Sequence, residues 1–307
     1  MKAGDDAAAR GLLEQAAKAD PKDPRPHFLL GSSLARQGKR PEAVKAFRAA
    51  LALDPKLPEV HNELGAALLE SGKGTEAVAE WEAAVHLKPS LCEAWSNLGR
   101  TRLTLGDPTS AAEAFGKGAE ACPFDSDLLL DHAMALRQAK DYPASAAAAK
   151  RAIELRPEDG DAHLNLALTL QAEGQLDASA QEFKAATGFK PDSVTAWWGW
   201  GTLELSRKRY DEALRALEKA KALQPSGAIC ADLVRADREK GDPRRAEAEL
   251  ANALEKNPRS LALRLEQVRL ALALKHCDEA KKALAPLPAD KAGVKTVRGE
   301  VAAACPR

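Results

Sequence analysis

Large apolar residues, small residues and prolines return along this chain at one common spacing, with polar positions filling the gaps between them. Prolines stand at Pro21, Pro55, Pro89, Pro123, Pro157, Pro191 and Pro225, each 34 residues after the one before, and then at Pro258 after 33. Proline lacks a backbone N–H and disfavours helix in the residue before it, so each one closes a helix and sets up the next. Leu30, Leu64, Leu98 and Leu166 hold one apolar phase, and Phe47, Trp81, Phe115, Phe183 and Leu217 another. Small residues hold three more. The first contains Gly31, Gly65, Gly99, Ala133, Ala167 and Gly201; the second Ala43, Ala77, Ala111, Ser145, Ser179 and Ala213; the third Ala50, Ala84, Gly118, Ala152, Ala186 and Ala220. Small side chains let paired helices approach closely. Gly38, Gly72, Gly106, Gly174 and Gly241 fall in mid-period, where glycine ends a first helix and opens a turn. The pattern predicts a two-helix hairpin repeated along the chain.

These residues carry a family likeness. The phrases HNELGAALLESGKGTEAVAEWEAAVHLKP and AWSNLGRTRLTLGDPTSAAEAFGKGAEACP resemble tetratricopeptide repeats, whose pattern runs aromatic, Leu-Gly, Ala, aromatic, Ala and a closing Pro. The resemblance extends over nearly the whole chain. It implies an all-α fold, a right-handed α-α superhelix in which each first helix lines a concave groove. Full repeats are expected at 24–57, 58–91, 92–125, 126–159, 160–193, 194–226 and 227–260, with a degenerate eighth at 261–288. Residues 1–23, where Ala9, Leu13, Ala16 and Pro21 match only a second helix, are expected to be a capping helix or a truncated half-repeat. The stripe Val294, Val297 and Val301 predicts a final helix in 289–307 that covers the last hairpin, because an uncapped repeat would expose its apolar face.

With the core phases assigned, the groove phases follow. The early hairpins present Phe28, Ser32, Asn62, Ala66, Ser96 and Arg100 there. The middle ones present Leu130, Met134, Leu164 and Leu168, and the sixth presents Trp198 and Thr202. Repeats four to six thus carry an apolar track, and exposed apolar area marks a contact site. The competing reading is that these side chains pack on the neighbouring first helix. Trp198 is the leading anchor, since buried aromatics dominate interface energetics; Trp197 and Trp200 fall on core phases. Arg235 completes the expected partner-binding set on the basic side of the track.

Lysine plus arginine and aspartate plus glutamate both total 45, which argues against general nucleic-acid binding. Acids gather early (Glu59, Glu63, Glu70, Asp127, Asp131, Asp161) and basics late (Arg207, Arg238, Lys240, Arg245, Arg269). Solvated helix faces explain such runs more simply than a bipolar groove. No run of about 18 apolar residues is present, so no membrane insertion is expected. The N-terminal segment lacks a signal-peptide pattern.

Five cysteines without a C-x-x-C motif indicate neither a zinc cage nor a redox pair. A reducing, cytoplasmic setting is therefore expected, or a periplasmic one if a signal has been removed. Cys92 and Cys122 stand at opposite ends of one hairpin, where a bridge is geometrically conceivable and free thiols are the expected state. His27, His61 and His163 share one phase in separate hairpins, too far apart for one metal ion. An Asn-and-Lys clamp for an acidic tail, known in the family, fails because Asp127 and Asp131 stand where basic residues are needed.

The expectation is a scaffold or adaptor that binds another protein or peptide segment, with no catalytic residues, metal or cofactor and an unassigned oligomeric state. The alternative is a regulatory or substrate-delivery region of a larger enzyme or a secretion or assembly machine. Binding of RNA ranks below both.

Overall fold

A computed structural model describes residues 11–13 and 15–306, so residues 1–10 and 14 of the expected N-terminal half-repeat, Ala9 among them, lie outside the described residues. Residues 11–13 and 15–19 are helical. The chain divides into two compact units, residues 1–157 and 158–307.

Beyond that N-terminal stretch, the described residues of the first unit form four hairpins: α1 (Arg25–Arg36) with α2 (Arg40–Leu53), α3 (Pro58–Glu70) with α4 (Gly74–Leu87), α5 (Cys92–Thr104) with α6 (Pro108–Ala121), and α7 (Ser126–Gln138) with α8 (Tyr142–Leu155). The second contains α9 (Gly160–Ala172) with α10 (Leu176–Phe189), α11 (Val194–Ser206) with α12 (Tyr210–Leu223), α13 (Gly227–Lys240) with α14 (Pro243–Lys256), α15 (Leu261–Ala273) with the short α16 (Cys277–Leu284), and a last helix α17 (Ala292–Ala304). No strand occurs among the described residues.

Local chemistry explains where these helices start and stop. Asp107, Asp125, Asp141, Asp159 and Asp242 each cap a helix by accepting a hydrogen bond from a backbone N–H in its first turn, as do Ser193, Ser226 and Ser260. Gly38 and Gly106 end their helices with φ of 78° and 81°, a left-handed turn that costs glycine nothing. Three hairpins lack that glycine. There Lys140, Lys208 and Lys275 take the left-handed turn themselves, with φ between 61° and 65°.

Within each unit, every first helix packs on its hairpin partner, which in turn packs on the next first helix. Successive first helices also touch, whereas among the described residues successive second helices do not. The odd-numbered helices therefore form an inner layer in each unit. Close packing depends on the small phases: a methyl group built on Gly99 would stand 2.5 Å from the Phe115 ring, and one on Gly65 would stand 2.7 Å from Trp81. Where serine replaces alanine, its hydroxyl is satisfied inside the hairpin. Ser145 donates to the Ala133 carbonyl at 2.8 Å, and Ser179 to that of Ala167 at 2.7 Å. In the second unit Val294, Val297 and Val301 of α17 are buried against a cluster that includes Val268, Ala280 and Leu284.

Cys92 and Cys122 are joined in a disulfide rather than free, because the first residue of α5 and the residue after α6 lie side by side, with 6.1 Å between their α-carbons. A second bridge, Cys277–Cys305, ties the start of α16 to the end of α17. Among the described residues no helix is long and apolar enough to cross a membrane.

Candidate partner-binding site

The six expected partner-binding residues fall into two groups. Leu130 and Met134 lie half-buried on α7 in the first unit. Leu164, Leu168, Trp198 and Arg235 lie on the inner-layer helices of the second.

In the first unit polar groups close around the inner layer. Asn62, expected to face the groove, is buried instead. Trp81 donates its indole N–H to the Asn62 main-chain and side-chain oxygens at 3.1 Å each, and Asn97 donates to the same side-chain oxygen at 3.1 Å. Burying an amide demands such partners. Beside Met134, Asp131 is paired with Arg100 at 2.7 Å. Burial still pushes the Asp131 carboxyl above its ordinary range, against the pull of Arg100.

In the second unit Leu164 and Leu168 pack on the cluster formed by Ala167, Phe183 and Leu203. Each stays half-buried. Trp198 leans on the next cluster, which includes Leu205, Leu214, Leu217 and Leu233. Its indole N–H donates to the Asp232 carboxylate on α13 at 2.7 Å. Burial raises the Asp232 pKa, while the Trp198 hydrogen bond and nearby Arg235 act to lower it. The indole is thus anchored at its polar end with part of the ring left uncovered. Trp197 and Trp200 stack at 5.6 Å, and Trp197 donates to the Pro191 carbonyl at 2.9 Å; both side chains are only partly buried.

Beyond Trp198 the surface becomes charged. Arg235 pairs with Glu239 at 2.9 Å, Arg238 with Glu266 at 3.0 Å, and Arg269 with both Glu266 and Glu300 at 2.9 and 3.1 Å. Arg235, Arg238, Glu239, Arg269 and Glu300, with Leu272 and Ala273, line a cavity of about 570 Å³. Each arginine is held in place by a carboxylate, which reduces the entropy lost when a partner engages it. Sequence reasoning selected Arg235 and missed Asp232, Glu266 and Glu300, since acids on helix surfaces resemble ordinary solvated positions. Asp232 lies 34 residues beyond Trp198, one position past its equivalent in the next hairpin, so the repeat phase alone does not single it out.

The uneven charge along the sequence resolves into local pairs. Glu59 meets Lys88 and Asp161 meets Lys190, each at 2.7 Å, and Lys240 meets Asp211 at 2.6 Å. Asp127 likewise meets Arg156, and Arg207 meets Asp177. His61 and His163 each face a glutamate, Glu80 and Glu182, at 2.6 Å. No group of three or more His, Cys, Asp or Glu side chains among the described residues could hold a metal ion.

Antiparallel helical hairpins stacked so that their first helices form an inner layer define the helical-repeat solenoid class. Models described as tetratricopeptide repeat match residues 62–126, 130–194, 167–228 and 237–299, and one described as TPR repeat matches 31–72. The chain belongs to the tetratricopeptide repeat family.

Among solved structures, a tetratricopeptide repeat protein from Parabacteroides merdae is similar at 17% identity and a TM-score of 0.59, over 80% of this chain and 98% of that one. The pilF protein of Pseudomonas aeruginosa is similar at 17% identity and a TM-score of 0.57, over 69% of this chain and 97% of its own. YrrB, described as a TPR protein with an unusual peptide-binding site, is similar at 22% identity and a TM-score of 0.51, over 61% of this chain and 96% of its own. At these identities the likeness is one of fold. A search of curated proteins finds no match.

Proposed function

We propose that this chain is an interaction scaffold that holds a segment of a partner protein on the inner layer of its second unit, centred on Trp198. The observation that carries the reading is the anchored, half-covered indole, fixed to Asp232 at 2.7 Å beside half-buried Leu164 and Leu168. A rigid aromatic loses little entropy on binding and offers a large apolar contact, the usual chemistry of an interface anchor. The orienting pairs around Arg235, Arg238 and Arg269 supply a polar rim. The peptide-binding site named for YrrB agrees with this use of the fold. No bond-making group is required.

The test is capture from the native cell with a photo-crosslinking residue placed at Leu164 or Thr202, in chains carrying either Trp198 or Trp198→Ala. One defined partner should crosslink at both positions, and its affinity should fall at least tenfold in the variant while helicity stays unchanged. Full affinity in Trp198→Ala moves the site elsewhere.

A further inference from the structure

Four of the five cysteines are spent in two bridges, and the fifth is sealed away. Both bridges follow one plan. Cys92 is the first residue of α5 and Cys122 follows the end of α6; Cys277 is the first residue of α16 and Cys305 follows the end of α17. Each pair therefore joins the start of one helix to the end of a neighbour, 30 and 28 residues apart, with α-carbons 6.1 and 5.6 Å from each other. Those separations lie in the range a disulfide requires without movement of the backbone.

Cys230 behaves differently. Its side chain is buried on α13, and burial, with Glu249 nearby, pushes the thiol pKa up. A thiol kept protonated is a poor nucleophile and does not reshuffle neighbouring bridges. The two other uses of paired cysteines fit poorly. Each pair offers two sulfurs where a metal cage needs about four ligands, and no metal-holding cluster occurs among the described residues. The closely spaced C-x-x-C motif of thiol-exchange catalysts is missing from the sequence.

We infer that this chain matures and works in an oxidising compartment, with both bridges closed in the functional protein and Cys277–Cys305 acting as a latch on the terminal helix α17. Disulfides persist where the surroundings are oxidising and are lost in a glutathione-buffered cytosol. Each bridge forms when two thiols give up two protons and two electrons to an incoming disulfide, that of an oxidoreductase or of oxidised glutathione, which leaves as two thiols. The exchange passes through a mixed disulfide. The latch matters because α17 covers Val268, Ala280 and Leu284, and α16 beneath it has only eight residues with which to hold that cover. The inference does not depend on where a partner binds, but it confines the search for one to proteins of the same compartment.

The test counts thiols in the full chain. Native cells are quenched in acid, the protein is denatured with an alkylating reagent, and its mass is read before and after reduction. One adduct, mapped to Cys230, followed by four more after reduction supports the inference. Five adducts before reduction, or a bridge that includes Cys230, overturns it. Hydrogen exchange of the purified chain then examines the latch: opening Cys277–Cys305 with a reductant should speed exchange in residues 292–304 at least tenfold, and unchanged rates there refute the latch.

Discussion

Replacing Asp237 with asparagine should stabilise the chain at neutral pH and leave it nearly unchanged in mild acid. Asp237 lies on α13 with 2% of its surface exposed, at a position where hairpins of the first unit carry Leu34 or Leu68. One carboxylate oxygen lies 3.3 Å from Nε of Arg245 without hydrogen-bond geometry, so the burial is poorly compensated. Burial, reinforced by Asp242, Glu249 and Glu218, pushes its pKa from 3.8 to about 6, while Arg245 resists. The sign follows from linkage. A carboxyl that binds its proton more tightly when folded weakens the fold at every pH above its folded value, and this penalty fades as pH falls through about 6 towards 3.8. Each tenfold in affinity is worth about 1.4 kcal/mol, which puts the ceiling near 3 kcal/mol.

Arg245 is half-exposed and its attraction is screened, so a gain of about 1–3 kcal/mol is the reasonable expectation for Asp237→Asn at pH 8. For a unit of this size that amounts to a rise of roughly 2–12 °C in melting temperature. The assay is thermal unfolding followed by circular dichroism at pH 8 and again near pH 4. Equal melting temperatures at pH 8, or the same gain at both pH values, would refute the account of a buried, mismatched charge.

Three further substitutions examine other parts of the argument. Gly99→Ala should destabilise even though alanine favours helix by about 1 kcal/mol, because its methyl would meet the Phe115 ring at 2.5 Å; urea unfolding that shows a gain contradicts the packing. Ala77, completely buried, should lose about 1–3 kcal/mol when changed to Phe, and an unchanged melting curve would contradict its assignment to the hairpin interface. His61 sits between the Glu80 carboxylate at 2.6 Å and the Pro55 carbonyl at 3.0 Å, two acceptors that together favour the doubly protonated ring, and the Glu80 bond raises its pKa above 6.5. The stability it adds is complete below pH 6.5 and disappears as pH rises through the folded value, so the difference between wild type and Glu80→Gln should shrink on going from pH 6 to pH 9; NMR titration of the His61 ring provides the direct check.

The hairpin fold was legible because its signals are periodic and local. A proline every 34 residues, a glycine or alanine facing a large ring, and a mid-period turn each recur often enough to exclude coincidence. The lysines that make left-handed turns were not anticipated, since propensity alone disfavours them. Site features depended on contacts across the array, which periodicity does not encode. Trp198 could be placed by phase, but its hold on Asp232 needs a specific rotamer on the next helix. Asn62 has the right phase for a groove and is drawn inward by Trp81 and Asn97. The bridges are not legible in the sequence, because each pairing depends on a helix start and a helix end meeting in space rather than on close spacing along the chain. Cys277 falls in the degenerate eighth hairpin and Cys305 lies 28 residues on, after the final helix, where the regular repeat no longer guides pairing.

That second bridge also decides how force enters the chain. A pull applied beyond Cys305 passes through sulfur straight to Cys277, so α17 bears no load and the tension falls first on α15 and its neighbours. Cys92–Cys122 likewise withholds the α5–α6 segment from stretching. A tether built this way yields in fewer, shorter steps than its number of hairpins would suggest.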